Sequence, residues 1–217
     1  RLVEVLADRE LRLVMQELFV DDVANMLEEM PANVVKKMLR ATSLEDRREI
    51  NQILQYPEDS AGSVLTTECV MLKAGATVNE AFDYIRRYGP DKETIYTCYV
   101  TDNDRHLQGV LTVKDLLLAN SDDMVGDLME TNVISAVTTD DQEEVAKTFT
   151  KYDFTSLPVV DHENRLVGII TVDDVVDIIE QETTEDIEKM AAIVPGDKPY
   201  LKTGVFETVK NRIPWLV

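Results

Sequence analysis

Cysteine and histidine are scarce, with two of each in 217 residues. Cys69 and Cys98 have no His or Cys at ligand spacing, and no secretory leader precedes them, so a reducing, cytosolic setting is expected. His106 and His162 fall in polar turns and read as surface residues, which argues against zinc or iron. Bases are scarce too: 22 Lys and Arg stand against 42 Asp and Glu, a net charge of −20. A pI near 4.4 argues against a nucleic-acid binder, because that affinity rests on Lys and Arg neutralising phosphates. No stretch approaches the ~18 apolar residues that a membrane crossing needs. The glycines of a P-loop are missing, and no nucleophile stands with a base, so an enzyme is the least expected reading. Both ends read as cut, the first inside the helical pattern "RLVEVLADRE" and the last on the apolar "RIPWLV".

Hydrophobic residues make up 44% of the chain, enough for a proper core. Residues 1–57 show apolar spacings of three and four, divided at Pro31 and at the "ATS" of 41–43, and predict short antiparallel helices. Val23, Met26, Leu27 and Met30 form one stripe and Val34, Val35, Met38 and Leu39 the next, both read as core. From residue 62 a duplication begins. "GSVLTTECVMLKAGATVNEAFDYIRRYG" resembles "GDLMETNVISAVTTDDQEEVAKTFTKYD", and "YVTDNDRHLQGVLTVKDLLLA" resembles "VVDHENRLVGIITVDDVVDII". Each unit reads strand, helix, strand, polar turn, strand, helix, with an insertion around "GPDKET" in the first. Neither unit buries its sheet alone, so the two are expected to pack together.

The paired Gly109-x-x-Thr112-x-x-Asp115 and Gly168-x-x-Thr171-x-x-Asp174, each closing a strand and opening a helix, resemble tandem CBS domains. With the preceding helical segment, "YPEDSAGSVLT", "TVDDVVDIIEQETTEDI" and the terminal "VFETVKNRIPWLV", the whole chain resembles the cytosolic region of an MgtE-type magnesium transporter or channel. The expected fold is α+β and multi-domain: a truncated all-α N-terminal domain (1–57), CBS domains at 62–120 and 126–186, and a linker with a connecting, plug-like helix (187–217). That run carries Val205, Phe206, Val209 and Ile213 at helical spacing, which fits either a closing amphipathic helix of the same domain or, with Trp215 and the bases Lys202, Lys210 and Arg212, a connecting helix at a cytoplasmic membrane face. It would lead to a membrane domain outside this chain. The resemblance further implies a homodimer formed through the CBS domains.

Thr112 with Asp115, and Thr171 with Asp174, have the spacing of helix capping boxes, which accounts for them locally. The resemblance adds an optional adenosine-nucleotide site, ATP in MgtE-type proteins, on Lys114, Asp115, Phe154 and Thr155. Residues 171–190 hold eight acids and one base, Lys189. "TTED" at 183–186 reads as a further cap and predicts two helices meeting near 181–184. Caps and helix dipoles explain Asp173, Asp174, Glu185 and Asp186 one by one, but residues 62–200 carry 28 acids against 11 bases. Clustered carboxylates suit hard divalent cations, and Mg²⁺ touches only one or two at a time. "DNDRHLQGVLTV" lacks the glycine and closing glutamate of an EF-hand. The resemblance implies bridging acids at Asp153, Asp174, Asp177, Glu182, Glu185 and Asp186, with Asp141 and Glu143 nearby and Asp21 or Asp22 as partners in the helical segment. Mg²⁺ would be a regulatory ligand that draws acidic faces together and closes a pore. The alternative is a nucleotide-sensing CBS module of another membrane protein, its acids serving solubility.

Overall fold

The computed structural model describes residues 8–28 and 30–190. Four helices come first: α1 (Asp8–Glu17), α2 (Val20–Glu28), α3 (Ala32–Ala41) and α4 (Leu44–Ile53). Ser43 starts α4 by accepting from the Asp46 N–H at 3.1 Å, and Pro31 occupies the N-cap of α3. Val23, Leu27, Val34 and Met38 are buried with Leu11, Met15, Ile50 and Ile53, so the methionine-bearing stripes are core, as expected. Thr67 Oγ1 donates to Glu49 Oε2 at 2.6 Å and ties α4 to the segment leading into the repeats.

The first repeat contains β1 (Val70–Leu72), α5 (Val78–Tyr88), β2 (Thr97–Thr101), β3 (Leu107–Thr112) and α6 (Val113–Leu118). After the short α7 (Val125–Leu128), the second contains β4 (Ala136–Val137), α8 (Gln142–Tyr152), β5 (Ser156–Val160), β6 (Leu166–Thr171) and α9 (Val172–Met190). Each forms a three-stranded sheet, β1-β2-β3 or β4-β5-β6, whose first pair is parallel and second antiparallel. The expected element order is present in both.

The repeats are interlocked. Thr66, leading into the first, exchanges two 2.8 Å backbone hydrogen bonds with Ile169 on β6 of the second. Glu130, leading into the second, does the same with Val110 on β3 of the first, at 2.8 and 2.9 Å. A side chain at Gly168 would strike the Thr66 carbonyl, and one at Gly109 would strike Met129 and Glu130, so both signature glycines permit a backbone crossing. Between the sheets, Tyr99, Cys69, Leu166 and Ile169 share a core, and the Tyr99 hydroxyl lies 2.8 Å from Ser156 Oγ.

One expectation fails. Residues 181–184 do not separate two helices; α9 runs unbroken from Val172 to Met190. Thr184 Oγ1 donates to the Glu180 carbonyl one turn back, a bond that a helix interior accommodates, and Lys189 pairs with Glu185 at 2.7 Å across one turn. Glu185 and Asp186 therefore lie toward the C-terminal end of a helix, where its dipole disfavours acids. The connecting helix proposed for 187–217 lies, beyond Met190, outside the described residues. Among the described residues no helix is long and apolar enough to cross a membrane.

Candidate functional site: acidic faces at the domain joint

Asp174 follows β6 on the first turn of α9 because Thr171 ends the strand there: the Thr171 hydroxyl donates to Asp174 Oδ2 at 2.6 Å. Thr112 and Asp115 form a complete capping box at the start of α6, whereas at Thr171 the reciprocal half is present, its N–H donating to Asp174 Oδ2 at 3.3 Å. Asp174 differs in being half-buried, with Asp22 of α2 acting on it from the helical domain. Burial pushes its carboxyl up, the Thr171 bonds pull it back, and the charges of Asp173 and Asp22 push it up again.

Glu93 stands at the same joint. It lies in the insertion between α5 and β2, and its N–H donates to the Glu68 carbonyl at 2.9 Å. Burial pushes its carboxyl up to about 7, reinforced by the charges of Asp173, Asp174, Asp22 and Glu68. Acids from α2, from the approach to β1 and from α9 thus act on Glu93 where the helical domain meets the repeats. Every donor is a carboxylate oxygen, the set that hard cations prefer. The charge of Asp22 reaches Asp174 across the joint; Asp21 is the neighbour of Asp22 in α2, and its side chain lies outside the described residues. Glu68 and Glu93 are not among the acids that the sequence singles out. Only the insertion "GPDKET", an acid where the second repeat has none, could have pointed to Glu93.

A second group lines a groove of about 450 Å³ between α8 and α9, which Glu143, Glu182 and Asp186 share with Lys147, Lys151 and Ile179. Glu182 is anchored by the buried Gln142, whose amide donates to it at 2.9 Å and to Asp59 at 3.2 Å. This face is not free of bases, contrary to what the bare sequence suggests. Lys147 pairs with Glu143 at 3.0 Å and with Glu144 at 2.8 Å, as spacings of four and three residues allow. Asp141 caps α8 by accepting from the Glu143 N–H at 2.8 Å. Asp153 ends α8 in the left-handed region, φ 54°, exposed, and Asp177 is exposed on α9.

Of the nucleotide residues, Phe154 stacks on Tyr152 with ring centres 5.5 Å apart and meets Phe149 edge-on. Thr155 accepts from the Val172 N–H at 3.1 Å, Lys114 is exposed at the start of α6, and Asp115 caps that helix. His106 is half-buried rather than fully on the surface, its Nδ1 2.9 Å from Asp102 Oδ2. With Asp104 these two form a compact group among the described residues, closed by Asp102 Oδ1 accepting from the Asp104 and His106 N–H groups.

Known proteins divide in the same way. Residues 1–59 match the MgtE intracellular N domain, and residues 61–122 and 125–181 match the CBS domain. The chain belongs to the MgtE family. It is 42% identical over 201 residues to the magnesium transporter MgtE of Thermus thermophilus and 37% identical over 205 residues to that of Bacillus subtilis, covering 91% and 94% of this chain. It spans 45% of the length of each, so less than half of those relatives is represented. Among solved structures, the soluble part of a magnesium transporter superposes with a TM-score of 0.80 at 34% identity, over 83% of this chain and 70% of that one. The cytosolic domain of the Mg²⁺ channel MgtE in complex with ATP gives 0.77 at 42% identity, over 81% and 72%. An MgtE N domain, two CBS repeats and a joint lined by acids are thus the frame within which this chain's carboxylates act.

Proposed function

We propose that this chain is the Mg²⁺-sensing regulatory region of a magnesium transporter or channel, on the cytoplasmic side of the membrane. The observation that carries the reading is Glu93: a carboxyl pushed to about 7 by burial and by like charges from both domains marks a joint that closes at an electrostatic cost. A divalent cation seated among Asp22, Glu68, Glu93, Asp173 and Asp174 would offset that cost and favour the closed arrangement. The ion shifts the equilibrium by its preference for that state and by nothing else. Glu143, Glu182, Glu185 and Asp186, with Asp141, Asp153 and Asp177, would supply further carboxylates, some released from their lysines. Closure, carried through the segment beyond Met190 to a membrane domain, would shut the pore.

The repeats work as a homodimer in this reading. Val172, Val176 and Ile179 are 46, 57 and 43% exposed along one side of α9, and Leu117 and Leu118 on α6 are 68 and 78% exposed. Such apolar area on an acidic protein suits a symmetric contact with a second copy. Nucleotide binding is the second function. A relative's cytosolic domain binds ATP, and here Phe154 offers an aromatic face beside Thr155, with Lys114 and Asp115 as the polar groups. Calorimetry with MgCl₂ and with ATP separates the two. Magnesium heat that is lost in Asp22→Asn and Asp174→Asn supports sensing at the joint, and nucleotide heat without any magnesium response favours the nucleotide module alone.

A further inference from the structure

A cavity of about 620 Å³ opens in the first repeat, away from the acidic joint and from the nucleotide residues. It lies where β1 and β2 end, with Leu72 and Thr101 in its wall. Thr112 and the Asp115 cap stand at the other end of that sheet, because Thr112 pairs with Thr97 at the start of β2. The strands β1 and β2 are parallel and joined through α5, and ligands of such βαβ units gather at the carboxyl ends of the strands.

The wall combines apolar and cationic groups. Met71, Ala81 and Tyr84 supply the apolar part, and Lys73 and Arg105 the charge. Lys73 follows β1 directly; its Nζ lies 3.4 Å from Thr101 Oγ1 and donates to the Asp102 carbonyl. Arg105 is the left-handed residue of the β2–β3 turn, φ 69°. Among the described residues no carboxylate lies within ion-pair distance of either, in a chain with almost two acids per base. Glu80, the one acid in the wall, is already engaged: its Oε2 accepts from the Thr77 N–H at 2.8 Å and the Thr77 hydroxyl at 3.1 Å.

The second repeat lacks this arrangement. Leu72 pairs with Val100 as Ala136 pairs with Val159, so Val137 takes the place of Lys73. The left-handed residue of the second turn is Asn164, φ 61°, in the place of Arg105, and Thr148 stands for Tyr84. The cations were therefore not required by the fold.

We propose that this cavity binds a small phosphate-bearing organic molecule, its phosphate between Lys73 and Arg105 and its planar or apolar body against Met71 and Tyr84. Arg offers a planar fork and Lys a point charge, the two means by which proteins hold phosphate. Such a ligand would report a metabolite independently of the acidic joint, since it touches neither α2 nor α9.

The test uses phenyl phosphate as probe, inorganic phosphate as the anion alone, and the whole 217-residue chain. Amide resonances of residues 71–76 and 101–106 should shift on titration of phenyl phosphate, with inorganic phosphate binding several-fold more weakly. The double variant Lys73→Val, Arg105→Asn, which installs the second repeat's own residues, should weaken phenyl phosphate by about tenfold or more, the loss expected when charge-assisted hydrogen bonds are removed. Shifts confined to residues 112–115 and 154–155, or no shift at either segment in the unaltered chain, would each overturn the proposal, and neither result needs a variant to fold. Unchanged affinity in a double variant whose melting profile matches the parent would overturn it as well.

Discussion

Asp174, on the first turn of the last helix of the CBS pair, has its carboxyl raised by burial and further by the charge of Asp22, in the second helix of the N domain. The charge of one acid thus opposes the ionisation of another that is distant in sequence and attached to a different domain. Removing either charge relieves that opposition. Asp22→Asn and Asp174→Asn should therefore leave the ion-free chain as stable or more stable, while weakening its response to Mg²⁺. Chemical denaturation with and without MgCl₂ reads both effects. Asp174→Asn keeps a group able to accept from Thr171, so a lost cap does not confound the comparison.

The same joint sets a pH dependence with a definite sign. The Glu93 carboxyl is raised from 4.5 to about 7, so between those values the folded state holds more protons than the unfolded one. Stability then falls as pH rises through that window and recovers as pH drops toward 4.5. Asp174 is shifted in the same direction. Thermal melts in the absence of divalent ions should show a Tm higher at pH 5.5 than at pH 8, with the difference reduced in Glu93→Gln. A Tm that rises with pH in the parent and does not differ in the variant contradicts the burial of charge at the joint.

The interlocking of the repeats predicts unequal costs for two matched glycines. At Gly168 an added methyl meets the backbone carbonyl of Thr66 and, at 2.8 Å, Leu65 Cδ1; at Gly109 the nearest atoms belong to the flexible end of Met129, with the Glu130 carbonyl farther off at 2.9 Å. Gly168→Ala should cost roughly 1–3 kcal/mol of unfolding free energy, the range for overpacking, and Gly109→Ala less. Urea denaturation of the two variants makes the comparison.

Tyr99 and Ser156 are both buried and meet through their hydroxyls across the two sheets. Tyr99→Phe leaves the Ser156 hydroxyl without that partner and should cost about 1–2 kcal/mol. Ser156→Ala in the same background should restore part of the loss, and a double-mutant cycle measures the coupling.

Much of this architecture is legible in the residues themselves. The duplicated G-x-x-T-x-x-D marks two strand-to-helix transitions because Thr and Asp three apart cap a helix, and the glycine allows a neighbouring strand across. The methionine stripes of the N domain have helical spacing and do form its core. Legibility ends where proximity depends on packing between segments. Glu68 and Glu93 have ordinary local settings, and only the approach of α2 and α9 makes them members of a site. "TTED" misleads in the other direction: it has the letters of a cap, but the buried Val175 and Ile178 hold α9 against its neighbours and the helix continues through it. Losing that helix start also removes the capping explanation for Asp186, while Glu185 keeps Lys189 as its partner one turn on.

The most direct measurement is small-angle X-ray scattering on a Mg²⁺ titration, with Na⁺ matched for ionic strength at every point. The account predicts a fall in radius of gyration that saturates at millimolar Mg²⁺, the weak end of oxygen-ligand affinities at about 1 mM, and that Asp22→Asn with Asp174→Asn abolishes. A radius that responds equally to Na⁺ and Mg²⁺, or that contracts as fully in the double variant, would contradict it.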